Sequence, residues 1–267
     1  MCEASVYINR ASGEELLMEK VDRIVPGEDQ TVFMENIFGE RKVVKARIRE
    51  MELVHHRVVL DEIREEIYAV HEELWLEPST DHGHFHEGEQ VTLKLLKGYN
   101  MKPGHDLSFT GLKAFVASPG GAKELHIHDH HGSRELVLGE ESDGLLQVWA
   151  EENEDGQRHL ASVLVEVGHH HHHGLKPVGL DLEIFPTDYS HARMGESYEI
   201  QVLQQGEPLA GVEVRATFAA THQKDYPHRM VTNDEGKVRL FLTARGNYLF
   251  SVSIDDLIST FTLVKSF

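Results

Sequence analysis

The residues of this chain best suited to chemistry are its histidines, most of which lie in clusters. There are 20 histidines in 267 residues, far more than a globular protein of this length ordinarily contains. The longest run lies within GHHHHHG at residues 168–174 and consists of His169, His170, His171, His172 and His173. Adjacent imidazoles bind Ni²⁺, Cu²⁺, Zn²⁺ or Co²⁺ without fixing one geometry, which predicts weak, exchangeable, pH-dependent sites. The alternatives are an artificial tag, which is disfavoured because the run is internal, and a solvated loop without a task.

A second cluster lies in DHGHFHEGE, which places His82, His84 and His86 at every second position. In an extended segment these side chains point to one side. Three imidazoles on one side supply most of a metal site, and the flanking carboxylates can orient or supplement them. The alternative is a flexible polar loop.

A third cluster lies in HIHDHHG. It comprises His126, His128, His130 and His131. If this segment is a strand, Leu125 and Ile127 face the core while the even-numbered histidines face solvent. The cluster therefore predicts a second exposed group of metal ligands, although two exposed histidines on a strand can also arise by chance.

The single cysteine, Cys2, is a further candidate ligand. If Met1 is removed, the α-amine and thiolate of Cys2 can form a five-membered chelate. Such donors favour Ni²⁺, Cu or Zn²⁺ over Mg²⁺ or Ca²⁺. The alternative is a small buried side chain at the start of a strand.

Composition narrows the class of protein. The formal net charge of −19 disfavours binding to nucleic acid or anionic lipid. No apolar stretch approaches the ~18 residues that a membrane span requires, and the opening MCEASVYINR lacks the features of a secretory signal. These observations predict a soluble cytoplasmic protein without membrane insertion.

The elements that position the candidate ligands are expected to be strands. Within residues 41–60, apolar and basic side chains alternate from Val44 to Arg49. The segment EELLMEKVDRI fits a helix or a strand, and its neighbours favour a strand. SPGGAK at 118–123 and ENEDGQ at 152–157 are typical of hairpin turns. Gly211 and Gly236 are expected in turns.

The fold class expected from these patterns is mainly β, in three parts. Residues 1–65 predict a small N-terminal β-barrel. Residues 67–180 predict a histidine-rich β-sandwich, and residues 181–267 predict an Ig-like β-sandwich.

MCEASVYI, EELLMEKVDRI and IFGERKVVKARIREMELVHHRVVL resemble the small CooT-type nickel-binding proteins that accompany carbon monoxide dehydrogenase maturation. The resemblance covers residues 1–63 and implies a barrel that forms a homodimer through residues 1–65. It also implies that Cys2 binds Ni²⁺ in a site shared between two subunits. The same family has been labelled RNA-binding, but acidic residues outnumber basic ones over residues 1–65, so no nucleic-acid partner is expected.

VHEELWLEPS, GLDLEIFPTD, GEPLAGVEVRATF and VTNDEGKVRLFLTARGNYLFSV resemble the DUF4198 (NikM-like) family over residues 68–267. That resemblance implies an association with nickel or cobalt uptake. Members are often periplasmic, whereas this sequence lacks a signal peptide and joins a cytosolic-type domain. His71 and Glu72 match the opening of the family and are assigned only a weak metal role.

The two resemblances and the histidine clusters point to the same ion. We expect a non-enzymatic protein that stores, buffers or delivers Ni²⁺, with Co²⁺, Zn²⁺ and Cu²⁺ as alternatives. The expected partners are nickel enzyme maturation or nickel transport proteins. The competing classes are a metal-dependent hydrolase, for which no zinc-protease helix, nucleophile elbow or phosphate loop is found, and an interaction module without metal.

Overall fold

The chain consists of strands and divides into two compact units, Met1–Val70 and His71–Phe267. The computed structural model describes residues 3–10, 13–26, 31–52, 54–62, 72–80, 84–104, 108–118, 121–130, 133–139, 142–168, 176–187, 194–222 and 225–264. These residues form no helix, and so none that is long and apolar enough to cross a membrane.

The first unit is a closed five-stranded barrel. Its strands are β1 (Ala4–Arg10), β2 (Gly13–Pro26), β3 (Thr31–Asn36), β4 (Arg41–Glu52) and β5 (Arg57–Glu62). Consecutive strands pair antiparallel, and parallel pairing of β1 with β5 closes the ring. The ambiguous segment EELLMEKVDRI is a strand, because β2 has a partner strand on both sides.

The described residues of the second unit form eighteen strands. They are β6 (Glu73–Pro78), β7 (His84–Phe85), β8 (Thr92–Tyr99), β9 (Lys102–Pro103), β10 (Lys113–Ser118), β11 (Gly121–Leu125), β12 (Ile127–His130), β13 (Ser133–Val137), β14 (Gly144–Glu154), β15 (Gln157–Val167), β16 (Leu182–Pro186), β17 (Ser197–Gln204), β18 (Glu207–Pro208), β19 (Glu213–Phe218), β20 (His228–Val231), β21 (Lys237–Phe241), β22 (Tyr248–Ile254) and β23 (Leu257–Leu263).

These strands form three sheets. The central sheet has nine strands in the order β11-β10-β14-β15-β23-β22-β19-β20, with β7 also paired to β15. The first outer sheet has the order β12-β13-β8-β6 with β9 paired to β8, and the second outer sheet contains β16, β17, β18 and β21. The fold is therefore mainly β, with a small barrel followed by sandwich packing, as the sequence predicts.

Strand β15 packs on both of its faces. Its odd-numbered residues, such as Ala161 and Val163, join the core shared with the first outer sheet. Its even-numbered residues, such as Leu160 and Leu164, join the core shared with the second outer sheet. Burial on both faces explains why six of the eight residues from Leu160 to Val167 are apolar.

The central sheet continues across the domain boundary expected near residue 180. Strand β15 pairs in parallel with β23, so strands from both sides of that boundary share one sheet. Two hydrophobic cores nevertheless lie on opposite faces of the sheet. The division into two domains at residue 180 remains a proposal, in which each domain is named for one of these two cores.

The turn residues adopt the backbone geometry that the sequence predicts. Asp155 and Gly156 both have positive φ between the paired residues Glu154 and Gln157, as a tight two-residue hairpin requires. At Gly236, which has φ +70°, an added Cβ would lie 2.7 Å from the carbonyl oxygen of Val202. This turn therefore requires glycine.

Candidate functional site

His126 and His128 form an exposed pair at the edge of the first outer sheet. His126 links β11 to β12, and β12 is the edge strand. Both side chains are exposed, and their ring centroids lie 4.6 Å apart at an interplanar angle of 86°. Leu125 and Ile127 pack against the first core, so alternation places the two imidazoles outward as predicted.

The described part of the second histidine cluster runs from strand β7 into a turn. Phe85 on β7 is buried in the first core, whereas His86 is exposed. The His86 N–H donates to Glu89 Oε2 at 2.8 Å, and the Glu89 N–H donates to the His86 carbonyl at 2.9 Å. The Glu89 carboxylate thus holds the backbone of His86.

Strand β7 brings this cluster beside the residue that precedes the histidine run. His84 and Phe85 pair in parallel with Glu166 and Val167 on β15. The N–H of Gly168 donates to the Phe85 carbonyl at 2.8 Å. This hydrogen bond joins Phe85 to a residue that is more than 80 positions away in sequence.

The residues that follow the run are also anchored. The buried carboxylate of Glu183 accepts hydrogen bonds from the N–H groups of Val178, Gly179 and Leu180 at 2.9, 2.9 and 3.3 Å. It also accepts one from Gln147 Nε2 at 3.0 Å. This carboxylate attaches the segment after the run to both the second outer sheet and the central sheet.

The His126–His128 pair follows β11, which β10 and β14 separate from β15 in the central sheet. Leu125 is in register, through β10 and β14, with Ala161 on β15. Residue 167 is six positions further along β15, or about 20 Å, and β15 is about 14 Å from β11 at ordinary strand spacing. On an ideal flat sheet, Leu125 and residue 167 are thus roughly 25 Å apart.

Several predicted ligands lie outside the described residues. These are Cys2, His82, His131 and His169–His173, together with the side chains of His84 and His130. Within the part of the chain that the structure describes, no group of three or more His, Cys, Asp or Glu side chains is arranged to hold a metal ion.

A buried ionic cluster, which the sequence interpretation missed, is centred on Glu73 of β6. Its carboxylate accepts hydrogen bonds from Arg215 Nη2 at 3.1 Å, from Ser251 Oγ at 2.5 Å and from the Tyr226 hydroxyl. Burial raises the pKa of the Glu73 carboxyl above its ordinary value, although these donors act in the opposite direction. The available sequence signals were a glutamate at the start of an apolar strand and an arginine within VEVRATF.

The same region contains a second tyrosine–carboxylate contact. The hydroxyl of Tyr99 donates to Asp225 Oδ1 at 2.5 Å. Arg229 donates to Asp225 and to Glu213, both at 2.9 Å. Since the rings of Tyr99 and Tyr226 meet edge to face at 5.5 Å, this contact continues the Glu73 cluster toward the surface.

A separate buried ion cluster connects the first outer sheet to the central sheet. Lys97 Nζ lies 3.0 Å from Glu152 Oε2 and contacts Glu154, while the Thr110 N–H donates to Glu152 Oε1 at 2.8 Å. Burial lowers the pKa of Lys97, but the two carboxylates more than reverse that effect. The hydrogen bond from Lys97 lowers the pKa of Glu154 below its ordinary value.

Two families account for most of the sequence. The family described as CO dehydrogenase accessory protein CooT matches residues 1–61, and the family described as domain of unknown function DUF4198 matches residues 71–256. The chain belongs to both families. The resemblances predicted from the sequence are thereby confirmed.

Solved structures add one relative of the CooT unit. A crystal structure of putative CooT from Carboxydothermus hydrogenoformans is 48% identical, covering 24% of this chain and 100% of that one, with a TM-score of 0.22. The D0–D1 domain of intimin is 16% identical over 73% of this chain and 98% of that one, with a TM-score of 0.24. Trypsin-activated α-2-macroglobulin from Escherichia coli is 12% identical over 99% of this chain and 20% of that one, with a TM-score of 0.25. The last two resemblances indicate no function, and no curated protein matches the chain.

The polar groups of the DUF4198 unit fall into two chemical kinds. Buried carboxylates such as Glu73 and Glu152 already accept hydrogen bonds from buried or backbone donors. The imidazoles of His86, His126 and His128 face solvent instead. Exposed imidazoles can bind an incoming cation, whereas the buried clusters serve to hold the sheets together. Neither family description points to catalysis.

Proposed function

We propose that this protein binds Ni²⁺ in the cytoplasm and stores it, buffers it or delivers it to the maturation of a nickel enzyme such as carbon monoxide dehydrogenase. The observation that carries the proposal is the match of residues 1–61 to a CO dehydrogenase accessory family. The same chain continues into a unit with exposed histidines, whose imidazoles suit a borderline divalent cation.

The candidate ligands divide into a selective site and collecting sites. Cys2 supplies a thiolate, which favours Ni²⁺, Cu or Zn²⁺ over hard cations, and holds the tighter site. The histidines of residues 82–86, 126–131 and 169–173 bind ions weakly and release them readily. Co²⁺, Zn²⁺ and Cu²⁺ are alternative cargoes, since affinity order alone favours copper over nickel.

The proposed assembly is a homodimer through the CooT unit. Several large apolar side chains on this barrel are solvent-exposed in one chain. They are Leu16, Phe38, Val43, Met51 and Val54. Exposed apolar side chains that adjoin one another are typical of an interaction site, and pairing two barrels would place two copies of the first strand in one assembly.

The recipient of the ion is proposed to be a nickel enzyme maturation or nickel transport protein. The net charge of −19 attracts cations and disfavours nucleic acid. The DUF4198 unit then serves as a local reservoir that raises the concentration of ions available to the CooT unit.

Replacing Cys2 tests the proposal directly. In Cys2→Ala we expect equilibrium dialysis to show loss of the tightest class of Ni²⁺ site, while the weaker sites persist. The protein is produced without a tag or nickel resin, so that its metal content reflects its own affinity. His222→Ala, which changes an exposed histidine outside the clusters, is the matched control. Unchanged Ni²⁺ affinity and stoichiometry in Cys2→Ala would contradict the assignment.

A further inference from the structure

The edge hairpin of the first outer sheet carries a carboxylate beside the exposed histidine pair. Strand β12 pairs with β13 so that His128 lies directly opposite Glu135. Directly opposed residues in an antiparallel pair project to the same face, with Cβ atoms about 5 Å apart. Glu135 is half-buried, and among the described residues it has no ion-pair or hydrogen-bond partner.

The other carboxylate of this hairpin is already occupied. Asp129 precedes His130 on β12 and forms an ion pair with Arg134, which lies directly opposite it on β13. Because alternate residues face opposite ways, Asp129 and Arg134 project to the face opposite His128 and Glu135. Register thus selects Glu135 as the carboxylate that accompanies the imidazoles.

The three donors are within reach of one ion. His126 lies two residues before His128, and their ring centroids are 4.6 Å apart. Imidazole nitrogen and carboxylate oxygen bind Zn²⁺ at about 2.0–2.2 Å, and side chains of this length span the cross-strand separation. In the structure the three side chains do not converge on a common point. Binding therefore requires rotation of the Glu135 side chain between its rotamers.

An exposed lysine lies in register with the same carboxylate without pairing with it. Lys94 on β8 lies directly opposite Glu135 on the other side of β13, and its side chain is exposed. An ammonium in this position attracts Glu135 away from the imidazoles. Lys94 therefore weakens the site and favours release of the ion.

We propose that His126, His128 and Glu135 form a self-contained site on the outer face of this sheet, which binds one divalent ion of a late first-row transition metal. The class of ion is taken from the proposed function, on which this proposal rests. The addition is Glu135 as the third ligand. Two imidazoles and one carboxylate leave a coordination position open for water or for a recipient's ligand, which suits exchange of the ion.

The test uses the full-length protein, with Zn²⁺ alone as a diamagnetic probe. The imidazole resonances of His126 and His128 report binding at this site separately from the other histidines, after assignment with His126→Ala and His128→Ala. We expect Glu135→Gln to weaken Zn²⁺ binding at the pair by about tenfold or more. Asp129→Asn is the matched control and should leave this affinity unchanged.

A second variant changes affinity in the opposite direction. Lys94→Gln removes the competing ammonium and should tighten Zn²⁺ binding at the pair by about twofold to threefold, which no loss of folding can mimic. If Glu135→Gln binds Zn²⁺ like the parent while the imidazoles still respond, the third-ligand proposal is overturned and the proposed function stands. If these imidazoles respond to no ion and protein grown with nickel contains none, both are overturned.

Discussion

The His126–His128 pair and the Glu73 cluster lie in the same unit and have opposite physical situations. Glu73 is fully buried, and its carboxylate accepts hydrogen bonds from three side chains contributed by the second half of the unit. The two histidines are exposed on an edge hairpin, and their rings contact each other. Both are clusters of polar groups, yet only the second is open to an ion from solution.

This difference separates residues that hold the fold from residues available for binding. Removing one member of a buried ion pair leaves a charge without compensation, which costs several kcal/mol. Removing an exposed imidazole leaves a side chain in water and costs little. Stability and metal affinity should therefore respond to different substitutions.

The largest expected effect comes from Arg215→Ala. This change removes the only cation that contacts Glu73 among the described residues and should lower the free energy of unfolding by about 3–5 kcal/mol. Urea denaturation at pH 7 measures it, with Arg239→Ala, which breaks an exposed ion pair to Glu199, as the control. A loss below about 1 kcal/mol would mean that the Glu73 cluster contributes little to holding the sheets together.

A smaller and pH-dependent effect is expected at Lys97. At pH 7, Lys97→Met should lower the free energy of unfolding by about 3 kcal/mol, because Glu152 loses a buried partner. Since Lys97 lowers the pKa of Glu154, this part of the stability is present above the unfolded pKa of a glutamate. It is lost as the pH falls through the lowered folded pKa.

The difference between parent and Lys97→Met should therefore shrink as the solution is acidified below pH ~4.5. Denaturation curves at several pH values between 3 and 7 measure this trend. A difference that grows on acidification would show that the sign assigned to Glu154 is wrong.

The smallest effect on stability is expected at the exposed pair. Replacing both His126 and His128 by alanine should change the free energy of unfolding by less than about 0.5 kcal/mol, while abolishing Zn²⁺ binding at the site that the pair forms with Glu135. The contrasting variant is His159→Ala, which alters a buried histidine and should destabilise the fold. If the double variant unfolds more easily by several kcal/mol, the pair is structural and the comparison fails.

Local patterns predicted the strands, the hairpins and the outward orientation of His126 and His128. Each of these depends on alternation or on a turn residue such as Gly156, which is visible over a few positions. The contact between Glu73 and Arg215 was not predictable in this way, because the two residues are 142 positions apart.

The placement of the second histidine cluster beside Gly168 was likewise not predictable. It depends on parallel pairing of the two-residue strand β7 with the end of β15. Neither strand carries a signal that identifies its partner, since any extended segment can pair with another exposed edge. Only the assembled sheet shows that the described part of the second cluster lies beside Gly168.

The pairing of strand β15 also determines when the second unit can complete its folding during synthesis. Its parallel partner β23 contributes Thr260, which accepts a hydrogen bond from Ser162 across a separation of 98 residues. During synthesis, β15, which is apolar on both faces, emerges from the ribosome long before its parallel partner β23. The barrel can close once about sixty residues have been synthesised, whereas the central sheet of the later unit cannot be completed until β23 has been synthesised. That interval exposes an unpaired apolar edge to other nascent chains, so production of this protein should depend on chaperones and on slow, cool expression.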